Sequence, residues 1–202
     1  MSDKTSYILI GASGHAKVVL DILEKSGEKV QCLLELNPLI KHLFNYPVIE
    51  ESDFIIKRHH LIIVAVGDNK RRQLIASKHK VSFGLAIHPE ATIASYVKIG
   101  TGSMIMAKAV INPEVSIGEH CIINTGSVVE HDCKIGDYCH VSPGAVVCGG
   151  VSVGEGTQIG AGAVILPGIK IGSWATIGAG AVVTKNVPPN SVLIGNPGKI
   201  IR

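Results

Sequence analysis

The sequence has few aromatic residues and little net charge. Only 4% of its 202 residues are Phe, Trp or Tyr, and the formal net charge is +3. The basic residues are scattered rather than clustered, so the charge does not support a nucleic-acid partner. No run of 18 uninterrupted apolar residues occurs, and the first residues lack the pattern of a signal peptide. We therefore expect no membrane span and a cytoplasmic protein.

Metal-binding patterns are also missing. The five cysteines are an odd number, and their spacings match no zinc motif. His120, His131 and His140 are not 18 residues apart, which disfavours a metal-dependent enzyme built on stacked histidines. We expect no metal and, in a reducing compartment, free thiols.

A six-residue repeat dominates the second half of the chain. From Leu85 the sequence divides into seventeen hexads without a gap, and the third residue of each, from Ile87 to Val183, is Ile or Val. The first residue is nearly always small. This pattern predicts short strands whose first and third residues point inward, corners at positions four to six, and glycines that supply the backbone angles of those corners. One hexad cannot bury its inner face alone, so the coils must stack.

The repeat gives three cysteines a structural interpretation. Cys121, Cys133 and Cys139 occupy the first position of a hexad, where a small buried residue is needed. Cys148 falls at a corner, where that argument is weaker.

Residues 1–84 follow a different pattern. Apolar segments at Tyr7–Ile10, Val30–Leu36 and Leu61–Val66 predict three strands, and helical spacing follows the first and third of them. This is a βαβαβ unit with a parallel sheet, similar to half of a Rossmann domain.

Polar and glycine residues end all three predicted strands, and ligands bind beyond the carboxyl ends of such strands. Gly11 and Gly14 permit a close approach of a phosphate to the following helix. The full GxGxxG motif is absent, which favours a nucleoside diphosphate over a dinucleotide, although a glycine turn also serves purely structural roles. The predicted substrate-binding residues are Ser13, Gly14, His15, Glu35 and Gly67.

Together the two halves resemble a known enzyme family. The segments GASGHAK and VVEHDCKIGDYCHVSPGA resemble sugar acetyltransferases of the sialic acid O-acetyltransferase/PglD type. The resemblance implies a Rossmann-like domain over residues 1–84, a left-handed parallel β-helix over residues 85–202, acetyl-CoA as co-substrate, and a homotrimer with its sites between adjacent β-helices.

By position, the resemblance assigns His131 as the general base and Asp132 as the acid beside it. It places His140 at the acetyl-CoA site, with further coenzyme contacts at Gly149, Ala161 and Ala179. Two residues depart from the family pattern: Asp132 replaces a glutamate, and Leu36 replaces the second of two acidic residues.

The residues themselves agree with this role for His131. It lies at a corner position between Glu130 and Asp132, and neighbouring carboxylates raise the pKa of an imidazole. A base with a pKa near 7 suits attack by a sugar amine on a thioester. Backbone N–H groups near Gly149 and Gly150 are candidate donors to the oxyanion. An acyl-cysteine intermediate is the rival mechanism, disfavoured because most cysteines occupy core positions.

The expected activity is transfer of an acetyl group to the 4-amino group of a UDP-linked amino-deoxy sugar. O-acetylation of sialic acid or another polysaccharide sugar and N-acetylation of a GDP-linked amino sugar remain open. A non-catalytic role, as a scaffold or a nucleotide-sugar sensor, also remains open. The final residues, which include Lys199 and Arg202, form either a solvated tail or a contact with the phosphates of CoA.

Overall fold

The computed structural model describes residues 5–202. Its N-terminal part is a five-stranded sheet with two helices and a short 3₁₀ turn at Glu51–Asp53. The strands are β1 (Ser6–Ile10), β2 (Val30–Glu35), β3 (His42–Leu43), β4 (Tyr46–Glu50) and β5 (His60–Val64), and the helices are α1 (Gly14–Lys25) and α2 (Asn69–Lys78).

The strand order of this sheet is β3-β4-β2-β1-β5. β1 pairs in parallel with both β2 and β5, and only the short β3 runs antiparallel, against β4. Because the chain moves to one side of β1 for β2 and to the other side for β5, a crevice opens at the carboxyl end of β1. The predicted parallel sheet is confirmed, with β3 and β4 as strands that the apolar pattern did not predict.

The second part is the parallel β-helix that the hexads predict. Its seventeen two-residue strands form three parallel sheets, here called faces 1, 2 and 3. Face 1 contains β6 (Ala86–Ile87), β9 (Met104–Ile105), β12 (Ile122–Ile123), β15 (His140–Val141), β18 (Gln158–Ile159) and β21 (Thr176–Ile177). Face 2 contains β7 (Thr92–Ile93), β10 (Val110–Ile111), β13 (Val128–Val129), β16 (Val146–Val147), β19 (Val164–Ile165) and β22 (Val182–Val183). Face 3 contains β8 (Lys98–Ile99), β11 (Ser116–Ile117), β14 (Lys134–Ile135), β17 (Ser152–Val153) and β20 (Lys170–Ile171).

The last residues form a strand pair at the end of the β-helix. β23 (Val192–Ile194) joins face 1, and β24 (Lys199–Ile200) pairs with it antiparallel. The backbone N–H of Val192 also donates to the carbonyl oxygen of Arg202 at 2.9 Å. Backbone pairing therefore fixes these residues at the end of the β-helix, while Lys199 and Arg202 are exposed, as expected of a solvated tail.

Glycine serves the corners in two different ways. Positive φ occurs at the sixth position of fifteen hexads, eight with glycine and seven with other residues, among them Asp132 at φ 61°. Glycines at the fourth position have ordinary φ but lie against the next coil: a Cβ on Gly100 would meet the carbonyl carbon of Gly118 at 2.5 Å. The corner angle therefore belongs to position six, and position four needs glycine for close stacking.

The outward residues at position two differ from face to face. Face 2 presents half-buried valines: Val110, Val128, Val146, Val164 and Val182. Face 3 alternates lysine and serine: Lys98, Ser116, Lys134, Ser152 and Lys170. The N-terminal part packs on face 1, where Ala86, Met104 and Ile122 join the apolar core beneath α1.

In residues 5–202 no helix is both long and apolar enough to cross a membrane.

Candidate active site

The His131–Asp132 pair lies at the corner between faces 2 and 3. The Nδ1–H of His131 donates to Oδ2 of Asp132 at 2.7 Å, and the His131 side chain is 62% exposed. The hydrogen bond to Asp132 raises the pKa of His131; desolvation opposes this effect, and the charges of Asp132 and Glu130 add to it. Because Nδ1 is engaged, Nε2 is the atom that accepts a proton.

Gly149 leaves room for this imidazole. A Cβ at Gly149 would lie 2.8 Å from both Cε1 and Nε2 of His131, so the ring edge rests on the glycine backbone of the next coil. The expectation that Gly150 donates to an oxyanion is wrong, because its N–H already donates to the carbonyl oxygen of His131 at 2.9 Å. The Gly149 N–H makes no hydrogen bond within residues 5–202 and remains the candidate donor.

The crevice of the N-terminal sheet gathers the predicted substrate residues. Ser13 and Gly14 are exposed at the start of α1, where the helix N-terminus favours an anion. Glu35, at the end of β2, accepts a hydrogen bond from the backbone N–H of Ala12 at 3.0 Å. Ser13 and Glu35 also border a cavity of about 300 Å³. The rest of its lining is Ala12, Asn37, Pro38, Leu39, Ile40 and Val48.

His15 is half-buried at the start of α1. Burial first, and then the charge of Arg72, lower its pKa to about 4, so the ring is neutral. Its Nε2 is buried without a hydrogen-bond partner among the described residues. A buried nitrogen of this kind is suited to a polar group of a ligand in the crevice.

His140 faces this crevice from face 1 of the β-helix. Burial first, then the charges of Arg72 and His15, lower its pKa to about 4, while a hydrogen bond to the Gly67 backbone acts in the opposite direction. Its Nε2 lies 2.9 Å from Nδ2 of Asn124. Because the Asn124 amide donates, the imidazole is neutral with its lone pair on Nε2.

The structure thus places the predicted residues at three locations on the β-helix. His15, Gly67 and His140 lie together beneath the N-terminal sheet, on face 1. Ala161 and Ala179 are at the corner between faces 1 and 2. His131, Asp132 and Gly149 are at the corner on the far side of face 2. Within one chain, the valine face separates the candidate base and Gly149 from the candidate substrate residues and from the other candidate coenzyme residues, His140, Ala161 and Ala179.

Sequence reasoning missed two residues of the face 1 group. Asn124 is the partner of His140, and its position one coil away, 16 residues earlier, is the only signal that pairs them. Arg72 is fully buried under the crevice. In the sequence it stands beside Arg71 in a polar helix, so nothing there marks it as buried.

The inward cysteines are unsuited to nucleophilic catalysis. Cys121, Cys133 and Cys139 are buried, and each thiol donates to a carbonyl oxygen 15 residues onward at 3.0 to 3.1 Å. Burial raises the pKa of all three, that of Cys121 to about 12. A thiolate is required for attack on a thioester, so these residues pack the core.

Arg202 borders a second cavity of face 1, of about 420 Å³, together with Lys70, Gln158 and Trp174. Within residues 5–202 there is no group of three or more His, Cys, Asp or Glu side chains placed to hold a metal ion.

Comparison with family models gives matches in both parts of the chain. Residues 7–79 match the PglD N-terminal domain. Residues 114–149 and 150–185 match the bacterial transferase hexapeptide of six repeats, and residues 96–131 match the hexapeptide repeat of succinyl-transferase. No curated protein matches the chain at a significant level.

Solved structures resemble the chain over nearly its whole length. PerB from Caulobacter crescentus, in complex with CoA and GDP-perosamine, is 39% identical, with a TM-score of 0.92 over 98% of this chain and 97% of that one. The acetyltransferase domain of PglB from Neisseria gonorrhoeae, in complex with acetyl coenzyme A, is 33% identical, with a TM-score of 0.92 over 98% and 100%. WeeI from Acinetobacter baumannii is 29% identical, with a TM-score of 0.91 over 98% and 100%.

Proposed function

The chain belongs to the sugar acetyltransferase family that joins a PglD N-terminal domain to hexapeptide repeats, and we propose that it transfers an acetyl group from acetyl-CoA to the amino group of a nucleotide-linked amino sugar. The observation that carries this proposal is the exposed imidazole of His131, with Nδ1 held by Asp132 and Nε2 directed along Gly149. That arrangement provides one proton acceptor of raised pKa at a surface open to two substrates.

The proposed mechanism is direct attack. The neutral sugar amine forms a bond to the carbonyl carbon of acetyl-CoA while Nε2 of His131 takes a proton from the attacking nitrogen. The Gly149 N–H is the candidate donor to the oxygen that becomes negative. The tetrahedral intermediate then collapses with cleavage of the C–S bond. The imidazolium returns its proton to the departing sulfur, which leaves the amide and free CoA.

The proposed acceptor is the 4-amino group of a UDP-linked amino-deoxy sugar, bound through its diphosphate at the N-terminus of α1. A GDP-linked 4-amino sugar is the second candidate, favoured because PerB, 39% identical to this chain, is solved with GDP-perosamine. Glu35 and the adjoining cavity of about 300 Å³ stand where the nucleoside would bind.

We propose that the complete site lies between copies of the chain in a homotrimer. Packing of the valine faces about a threefold axis would bring the corner of His131 from one copy to the corner of Ala161 and Ala179 on the next. This arrangement also explains why face 2 is apolar although solvent reaches it in a single chain.

The activity is tested by release of CoA from acetyl-CoA, followed with a thiol reagent. The acceptors are a UDP-4-amino-4,6-dideoxy sugar, GDP-perosamine and free sialic acid, each with the wild type and His131→Ala. Turnover with one nucleotide amino sugar that is lost in the variant supports the proposal and identifies the nucleotide. Turnover with sialic acid alone would assign O-acetylation instead, and silence with all three would contradict acetyl transfer to these sugars.

The assembly is tested by a matched pair of lysine substitutions. Val146→Lys places a charge in the valine face, whereas Ser152→Lys places one on face 3, which already carries lysines. Light scattering after size exclusion should show a trimer for the wild type and Ser152→Lys, and dissociation with loss of activity for Val146→Lys. An active Val146→Lys monomer would contradict a site shared between copies.

A further inference from the structure

A buried guanidinium joins the two parts of the chain. Arg72, on α2, has no exposed surface. Its Nε donates to the carbonyl oxygen of His120 at 2.7 Å. Its Nη2 donates to the carbonyl oxygens of Tyr138 at 2.9 Å and Cys139 at 3.4 Å. Residues 120 and 138 occupy the same corner on successive coils, so one side chain spans two coils of the β-helix.

The same guanidinium fixes the loop that follows β5. Nη1 donates to the carbonyl oxygens of Val66 at 3.0 Å and Gly67 at 3.1 Å, and Nη2 donates to Oδ1 of Asn69 at 2.8 Å. Asn69 in turn donates through Nδ2 to the carbonyl oxygen of Gly156 at 3.1 Å. The planar guanidinium thereby holds the end of β5 at one position relative to the coils.

This position matters for the proposed substrate site. Gly67 lies in the loop after β5 at the crevice, and its backbone is close enough to the His140 imidazole of the β-helix to act on its pKa. A shift of the loop against the coils would separate Gly67 from His140 and widen the crevice around His15.

The hydrogen-bond acceptors of Arg72 also determine the charge near the crevice. All the oxygens that it contacts in residues 5–202 are carbonyl or amide oxygens, so no carboxylate cancels its charge by direct contact. The charge lies close enough to lower the pKa values of His15 and His140, after burial itself. Both histidines therefore stay neutral, and positive potential remains beneath a site proposed for a diphosphate.

We propose that Arg72 is a positioning residue for the nucleotide sugar, which holds the loop after β5 and the coil of His140 as one rigid wall of the binding crevice. The inference rests on the proposed function. It predicts that loss of Arg72 weakens binding of the nucleotide sugar more than that of acetyl-CoA, because His140 is the one predicted coenzyme residue at this wall, and Gly149, Ala161 and Ala179 lie on other corners.

The test compares Arg72→Met and Arg72→Lys with Arg71→Met, which removes the exposed arginine next to it on the same helix. We expect Arg72→Met to raise the KM for the nucleotide sugar about tenfold or more, since small displacements at a binding site cost that much. The KM for acetyl-CoA should rise much less, because only one of its predicted contacts, His140, is affected. Arg72→Lys keeps the charge without the planar set of donors and should fall between Arg72→Met and the wild type. Arg71→Met should match the wild type.

A purely structural role would lower kcat through loss of folded enzyme and leave both KM values unchanged. That result, or an equal rise in both KM values, would overturn the inference. If Arg72→Met does not fold, the two KM values of Arg72→Lys test the inference in the same way. If the wild type showed no turnover with any nucleotide sugar, the result would instead count against the proposed function. Failure of the inference and failure of the proposed function are therefore distinguishable.

Discussion

The corner of His131 and the face of His140 belong to the same β-helix but give a histidine opposite properties. At the corner, the imidazole is exposed and bonded to a carboxylate, and its pKa is raised. On face 1, the imidazole is half-buried near Arg72 without a carboxylate, and desolvation followed by the charge of Arg72 lowers its pKa to about 4. Only His131 exchanges a proton near neutral pH. The same repeat therefore supplies a base at the corner and a neutral hydrogen-bonding side chain, His140, on face 1.

The largest effect expected from this difference follows removal of the base. His131→Ala should lower kcat about 10²–10⁴-fold, the usual contribution of a general base. The fold should persist because the side chain is exposed. His42→Ala, an exposed histidine on β3, is the matched control for steady-state kinetics and thermal unfolding. Near-normal kcat in His131→Ala would refute the assignment.

The separation of the two groups is tested by mixing two inactive variants. His131→Ala disables the corner, and Gly14→Asp places a negative charge where the diphosphate is proposed to bind. No atom lies within 4 Å of a Cβ at Gly14, so the fold should accept the change. If each site combines two copies of a trimer, co-expression of the variants should restore about a quarter of wild-type activity. Activity no higher than that of the separate variants would place both groups of a site in one chain.

The sequence predicts the β-helix almost completely but the site only in part. The fold follows from Ile or Val at the third position of every hexad, which is a local pattern repeated seventeen times. The His131–Asp132 pair is also local, since both residues are adjacent. In contrast, Arg72 meets carbonyl groups 48 to 67 residues away, and backbone acceptors have no signature in the sequence. The sequence does not separate the two roles of the corner glycines, because positive φ at position six and close stacking at position four both select glycine.

A smaller effect is expected in the pH dependence of kcat/KM when Asp132 is replaced. Asp132→Asn removes the hydrogen bond and charge that raise the pKa of His131. The neutral imidazole is the active form, so kcat/KM falls as the pH drops through this pKa, and the variant should show that fall at lower pH than the wild type. At pH 8 we expect a loss of about tenfold from poorer orientation of the ring. Asparagine tolerates the positive φ at this position, so unfolding should be little changed. If kcat/KM of Asp132→Asn fell at the same pH as that of the wild type, the fall would be assigned to a group other than His131.

The smallest effect is expected at the other histidine. His140→Gln removes the imidazole from the wall of the crevice but no group that titrates near neutrality, because the pKa of His140 is about 4. We expect a change of roughly threefold in a KM value, comparable to the loss of one neutral hydrogen bond. The acid limb of kcat/KM should stay where the wild type has it, since His131 still sets it. Asn124→Ala removes the partner of His140 and provides a second variant on the same face. If either substitution shifted the acid limb, His140 would share in proton transfer, and the contrast between the exposed corner and the buried face would no longer explain the chemistry.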